Sequence, residues 1–316
     1  MNKLRAGVIG VGYLGQFHAE KYASLPDVEL VGVVDADPDR AAQIAQKLNT
    51  RPYSSPADLL DHVDMVSIVV PTVLHHTVAK QFLEHGIHVL LEKPITVTLE
   101  QADELIDLAS ERGLVLQIGH IERFSPAVTV IRPLLRDPRY ITAERAAPFT
   151  KRCTDVNVVL DLMIHDLDIV ADLARSDPRE LSAVGTSIIT REIDIASARI
   201  VFSNGCIADV MASRVSEEKK RLLRVFDSGT IYTADYQTQK AQCSHRGTGQ
   251  ELELAAREIP TERRDTLLEE IRAFTLSVRQ RTRPLVSGLE GKRALALAQI
   301  ITRTIEQGTA GFVPAG

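Results

Sequence analysis

Short β-branched runs alternate with segments of helical periodicity through the first 120 residues of the chain. Residues 4–9, 30–34, 65–70, 88–91 and 115–118 read as strands, and 14–24, 39–48, 73–84 and 99–112 as the helices between and after them. Gly86 and Gly113 give the last two helices their stop signals, because glycine enters the left-handed backbone that ends a helix at little steric cost. Such β-α-β-α alternation predicts an α/β unit, a doubly wound parallel sheet with helices on both faces.

The texture changes after about residue 120. A helical segment follows Ser125-Pro126 and another runs over about 158–174, before strand-like stretches near 183–189, 196–202, 206–212 and 221–226. Ser203-Asn204-Gly205 lies between two of these stretches as a hairpin signal, since Asn and Gly tolerate the positive φ of a tight turn. Helical stretches over about 262–280 and 290–306 close the chain, separated by Arg283-Pro284 and Gly288. The expectation is an α+β second domain with a mainly antiparallel open sheet. Domains are placed at 1–120 and 121–316, with the C-terminal helix a candidate to pack back on the first.

Composition narrows the partners. A net charge of −5 argues against a surface made for nucleic acid, although a local basic pocket for an anionic substrate remains open. No apolar run approaches the roughly 18 residues of a membrane span. Cys153, Cys206 and Cys243 are odd in number, far apart and without a Cys-x-x-Cys, so neither a disulfide framework nor a metal site is indicated. A reducing cytoplasm is the expected location.

Gly10-Val11-Gly12-Tyr13-Leu14-Gly15 follows the first strand and opens the first helix. In that context the three glycines allow a tight turn, close approach to a pyrophosphate and close helix–strand packing, while the helix N-terminus faces the phosphates. Asp35, at the end of the second strand, suits the ribose hydroxyls of NAD and would repel a 2′-phosphate; neither Ala36 nor Asp37 offers a compensating cation. NAD is the expected cofactor.

Two further segments carry chemistry. Glu92-Lys93-Pro94 follows the strand at 88–91, on the edge where parallel sheets bind ligands, so Lys93 is expected beside the cofactor. Asp161, His165 and Asp168 fall on one helical stripe, where a carboxylate one turn from an imidazole can orient it. For oxidation of a secondary alcohol, the chemistry implied by the family resemblance given below, a group near neutral pKa has to take the hydroxyl proton as a hydride leaves its carbon. His165 is assigned as that base, with Lys93 stabilising the developing alkoxide and Asp161 orienting the histidine or a substrate hydroxyl. The roles of Lys93 and His165 can be exchanged, because burial can lower a lysine's pKa into the working range.

With the Gly10 to Gly15 turn, Pro71 to His75, Glu92-Lys93-Pro94, Asp161-Leu162-Met163-Ile164-His165 and the closing 287–298 segment, the chain resembles the Gfo/Idh/MocA family over almost its whole length. The resemblance implies a Rossmann domain followed by an α+β substrate-binding and oligomerisation domain. It implies NAD-dependent oxidation of a sugar or polyol hydroxyl by Lys93, Asp161 and His165. Val70, Pro71, Thr72, His75 and Glu92 then join Gly10, Gly12, Tyr13, Leu14, Gly15, Asp35 and Lys93 around the cofactor.

Residues 119–127 and 160–166 resemble a narrower group, the UDP-N-acetylglucosamine 3-dehydrogenases, with Ser125 where that group's pattern has Asn. This implies oxidation at C3 of a nucleotide sugar for amino-sugar and lipid A-type synthesis, a partner aminotransferase, and a homodimer or homotetramer. A free sugar or inositol is the alternative substrate, and a non-catalytic dinucleotide sensor the alternative class. Lys93, His120, Arg123, Asp161 and His165 are the substrate-side candidates, with Arg123 and Lys151-Arg152 as cations for a diphosphate. Glu122, like His120, is read more readily as a structural hydrogen-bonding group; His18, His62, His76 and His85 receive no role.

Overall fold

Six parallel strands build the first sheet in the computed structural model, which describes residues 2–151, 155–247 and 253–308 and the backbone of Gly311–Phe312. Along the chain they run β1 (Leu4–Ile9), α1 (Gly15–Ser24), β2 (Val28–Val34), α2 (Pro38–Leu48), β3 (Arg51–Tyr53), β4 (Met65–Ile68), α3 (Thr72–Glu84), β5 (His88–Leu91), α4 (Leu99–Glu111) and β6 (Leu116–Ile118). The spatial order is β3-β2-β1-β4-β5-β6. Strand order reverses between β1 and β4, and the crevice beyond the carboxyl ends of strands at such a point is where these sheets take ligands.

Local chemistry fixes the helices. Asp37 caps α2 by accepting the Asp39 and Arg40 N–H groups at 3.1 and 3.2 Å, Pro38 occupies its first turn, and Asn49 ends it at φ 52°. Thr98 caps α4 through the Gln101 N–H at 3.3 Å. The short β3 has no counterpart in the apolar pattern: two of its three residues, Arg51 and Pro52, are exposed.

The second sheet is mixed and mostly antiparallel. After α5 (Pro126–Ile131) come β7 (Pro138–Ala146), α6 (Ile164–Ala174), β8 (Pro178–Thr186), β9 (Ile195–Phe202), β10 (Ile207–Ser213), β11 (Lys220–Asp227), β12 (Thr230–Asp235), β13 (Lys240–Arg246) and β14 (Leu254–Ile259). β7 pairs β10 in parallel and β11 antiparallel, in the order β14-β13-β12-β11-β7-β10-β9-β8. The Asn204-Gly205 turn joins β9 to β10 as expected, with Gly205 at φ 84°. Of the strands β7 to β14, four escaped the sequence pattern: β7, β12, β13 and β14. Their polar and alanine-rich stretches acquire strand structure from their neighbours more than from intrinsic propensity. The stretch expected at 183–189 begins at Pro178 instead. It yields after Thr186 to a loop in which Asp194 accepts the Ile188, Ile189 and Thr190 N–H groups at 2.8, 2.6 and 2.9 Å.

The last helices are α7 (Thr266–Gln280) and α8 (Gly288–Gln307), followed by the two-residue β15 (Gly311–Phe312), which pairs β8 at the sheet edge. Here the domain division differs from a single cut near residue 120. One unit comprises residues 1–121 and 265–292, the other 122–264 and 293–316. α7 belongs to the first: its Leu267, Ile271, Phe274 and Val278 join Ala6, Val8, Ala19, Tyr22 and Met65 in one apolar core. The second unit has its own core, with Ile141, Met163, Leu167, Ile200, Phe202 and Val210 among its members. No helix among the described residues is long and apolar enough to cross a membrane, and no group of three or more metal-ligating side chains occurs among them.

Candidate dinucleotide site and catalytic helix

Each glycine of the first turn has its own reason. Gly10 lies at φ +84°, and a Cβ there would meet the Val69 carbonyl oxygen at 2.2 Å; one on Gly15 would meet the Gly10 carbonyl oxygen at 1.8 Å. Those two are dictated by the protein's own packing. A Cβ on Gly12 would meet nothing within 4 Å, so that glycine keeps open space into which a pyrophosphate can come close to backbone. Leu14 offers α1 no side-chain cap, which leaves the positive end of the helix to an anion. Tyr13 and Leu14 after β1, Val73 and Leu74 after β4, and Val97 after β5 are exposed apolar side chains along this same edge.

Asp35 is tied to the turn. Its Oδ2 accepts the Val11 N–H at 2.7 Å and its Oδ1 the Asp37 N–H at 3.0 Å. One cation was not anticipated: Arg40, from the first turn of α2, places Nη1 3.2 Å from Asp35 Oδ1 and Nη2 3.2 Å from Asp37 Oδ2. Inspection of positions 36 and 37 alone could not find it, because the capped helix start folds residue 40 back over residue 35.

His75 locks the next two loops together. Its Nδ1 faces the Pro94 carbonyl at 2.7 Å and its Nε2 the Val70 carbonyl at 2.9 Å; burial lowers its pKa against the opposing pull of those carbonyls and of Glu92. The loop after β4 is thereby fastened to the Lys93-Pro94 segment, whose peptide bond is cis. Glu92 points the other way, into the protein. Its Oε2 accepts the Lys93 N–H at 3.2 Å, and its Oε1 lies 3.3 Å from Nε2 of the fully buried His18. Burial pushes the Glu92 pKa up, but pairing with His18 and the charge of Lys93 outweigh it and leave the group below the usual carboxylate range. Gly119 makes this possible, since a Cβ there would meet Glu92 Oε1 at 2.8 Å. His18 continues through Nδ1 to Ser67 Oγ at 3.1 Å, which meets the Tyr22 hydroxyl at 2.9 Å.

In the second unit, Asp161 sits in a single turn of π-helix, Val159–Met163, that leads directly into α6. Asn157 caps this turn by accepting the Leu160 N–H at 3.0 Å. π-turns within helices recur at functional sites, where the extra residue re-aims the side chains around it. α6 is not the solvated face of an amphipathic helix: from Ile164 to Ala171 every residue but His165 is buried. A half-exposed imidazole in an otherwise buried stretch is available for proton transfer.

Two buried arginines hold this helix. Arg145 grips Asp166 with Nε and Nη2 at 2.7 and 3.0 Å, reaches Glu122 with Nη1 at 2.8 Å, and lies over the Tyr236 ring at 5.5 Å. Arg123 grips Asp168 with Nε and Nη2 at 2.6 and 3.0 Å and Asp172 with Nη1 at 2.8 Å. This corrects the assignment of Arg123 to substrate: it is 3% exposed and its guanidinium is spent on two carboxylates of α6. Asp168 is likewise spent on Arg123, which leaves Asp161 and His165 as the candidates for proton transfer from the stripe. Glu122 is structural, His120 is buried, Lys151 is exposed, and Arg152 and Cys153 lie outside the described residues.

The family model for the oxidoreductase family with an NAD-binding Rossmann fold matches residues 4–120, and the Gfo/Idh/MocA C-terminal domain model matches 128–232. The chain belongs to the Gfo/Idh/MocA oxidoreductase family. It is an NAD-dependent dehydrogenase acting on a CH–OH group. It is 40% identical over 310 residues to the UDP-N-acetylglucosamine 3-dehydrogenase of Acidithiobacillus ferrooxidans, covering 97% of this chain and 98% of the relative. The solved structure of the Acidithiobacillus ferrooxidans enzyme matches with a TM-score of 0.92 over 97% of this chain and 99% of that one. Identity to the NAD-dependent scyllo-inositol 2-dehydrogenase of Bacillus subtilis is 30% over 68% of each chain. Levoglucosan dehydrogenase, at 17% identity and a TM-score of 0.90, shares the fold.

Within this family fold, the described residues fit NAD. Gly10, Gly12 and Gly15 shape the turn, Asp35 holds a carboxylate beside it at the end of β2, and Val70, Pro71, Thr72 and His75 form a braced loop after β4. His18, Arg40 and Arg145 are the side chains that sequence reasoning missed. A signal for His18 existed: with Tyr22 it repeats at i, i+4 on the sheet-facing side of α1. Nothing comparable marked Arg145, whose partners are distant in sequence.

Proposed function

We propose that the chain oxidises the C3 hydroxyl of UDP-N-acetylglucosamine to the 3-keto nucleotide sugar. The observation that carries this is the 40% identity spread over nearly the full length of both this chain and the Acidithiobacillus ferrooxidans 3-dehydrogenase. Bound NAD supplies the hydride acceptor. Asp35 would bind the adenosine ribose, the Gly12 backbone would approach the pyrophosphate, and Lys93 would hold a proton and a positive charge against the reacting oxygen. His165 takes the hydroxyl proton and Asp161 orients it; Lys93 remains the alternative base, because its roles and those of His165 are interchangeable on residue type. A 3-keto product calls for an aminotransferase as the next enzyme in amino-sugar synthesis. A homo-oligomer in a reducing cytoplasm completes the reading.

The test incubates purified protein and NAD with UDP-sugars, free sugars and inositols, with a ketone trap, and follows NADH absorbance. UDP-N-acetylglucosamine should react best, and Lys93→Ala and His165→Ala should lose turnover by about 100-fold or more while NAD affinity changes far less. Turnover of free polyols alone would overturn the substrate assignment. Undiminished turnover in both variants would overturn the catalytic one.

A further inference from the structure

Glu270, on α7, is fully buried, and both of its carboxyl oxygens lack a hydrogen-bond partner among the described residues. A carboxylate in that position would forgo several kcal/mol of hydration with no donor in return. Its surroundings are well defined. α7 packs on α1, and the Gln117 side-chain amide from β6 donates to the Glu270 backbone carbonyl at 3.2 Å. Gly119, two residues on from Gln117, lies against Glu92, and the titratable groups that interact with the Glu270 carboxyl are Glu92, from the segment after β5, and Tyr22, from α1; His18 of α1 pairs with Glu92. The neighbour with a negative charge is therefore Glu92, the carboxylate that receives the Lys93 N–H.

We propose that Glu270 is held as a neutral carboxylic acid and acts as a positioning residue for Lys93, by leaving Glu92 as the single negative charge of this buried cluster. Two carboxylates in one dry site cannot both ionise cheaply. With Glu270 neutral, Glu92 stays ionised, keeps its pairing with His18 and keeps the Lys93 backbone tied beneath the cofactor loop. Ionisation of Glu270 sets a second negative charge against Glu92 and loosens that tie. Burial first, and then the charge of Glu92, push the Glu270 pKa well above the usual carboxylate range, in the same direction. The inference concerns the dinucleotide unit alone and stands or falls independently of the sugar oxidised.

Infrared spectroscopy of the full chain in deuterated buffer tests it. At neutral pH the native protein should show the carbonyl band of a protonated carboxyl, and Glu270→Gln should lack that band. NADH affinity, followed by fluorescence, should weaken on the alkaline side with a limiting slope of about tenfold per pH unit in the native protein, and stay flat in Glu270→Gln. Absence of the band from the native protein overturns the proposal, even if the variant fails to fold. So does a native affinity profile that superimposes on that of the variant.

Discussion

If Asp35 binds the adenosine ribose as proposed, cofactor choice turns on Asp35 and the neighbouring Arg40, and replacing Asp35 should shift it measurably. Asp35 accepts two backbone N–H groups and presents a 7% exposed carboxylate, while Arg40 beside it is 47% exposed in its side chain. A hydrogen bond from a ribose hydroxyl to a charged acceptor contributes about 1.5–3 kcal/mol. Asp35→Ala should therefore weaken NAD by about 10- to 150-fold. The charge acts in the opposite sense on NADP. A carboxylate about 4 Å from a phosphate charge repels it by about 4 kcal/mol at an effective dielectric of 20, an upper figure that salt reduces at a partly exposed site. Asp35→Asn keeps a carbonyl acceptor for the Val11 N–H and removes the charge, so it should tighten NADP by at least about tenfold. Adding Arg40→Ala to Asp35→Asn should take back part of that gain, because Arg40 is the cation the substitution releases. Titration calorimetry with both dinucleotides reads all three effects. An Asp35→Ala protein whose NAD affinity stays within about twofold of the native value would refute the reasoning.

Two other outcomes follow from the second unit. Arg123→Ala strands the buried Asp168 without its guanidinium, while Asp172 keeps Arg132 at 2.7 Å, and should cost about 3–5 kcal/mol of stability in denaturant unfolding; a variant of native stability with a raised substrate KM would return Arg123 to the substrate. Asp194 is buried, but hydrogen bonds from the Thr190 hydroxyl and the N–H groups of Thr190, Ile189 and Ile188 outweigh that and hold its pKa at about 2, below its unfolded value of 3.8. Its contribution is thus present above pH 3.8 and lost as the pH falls towards 2. The protection of the 188–190 amides, as exchange rate relative to the intrinsic rate at each pH, should fall as the pH drops through that interval and hold steady above it, whereas in Asp194→Asn it should be low throughout.

What the sequence disclosed and what it withheld divide along a physical line. The Gly10 to Gly15 turn was legible, and Asp35, Lys93, Asp161 and His165 could be nominated, because local geometry asks for particular residue types at fixed offsets from strand and helix ends. β7 was not, because its Arg, Glu and Ala residues become a central strand only between β10 and β11. The same holds for charge. Arg123 looked like a phosphate ligand until its partners Asp168 and Asp172, more than forty positions away, came into view. Arg145 had no visible purpose until Asp166 and Glu122 met it. Glu270 resembled any other helical glutamate until its burial could be seen. Residues whose function depends on who arrives from elsewhere in the chain carry no local mark.

The return of α7 to the first unit bears on how this protein is made. Residues 1–121 leave the ribosome as a nearly complete nucleotide fold, yet Leu267, Ile271, Phe274 and Val278, which finish its core, are translated only after the whole of 122–264. Until then the core that α1, β1 and β4 share with α7 lacks its apolar cover, a long wait for a contact of high sequence separation. A nascent chain, or any product cut short before residue 265, carries the glycine turn but exposes sticky surface. Chaperone capture and proteolysis should fall on that half-built intermediate, and competence to hold the cofactor should arrive late in synthesis.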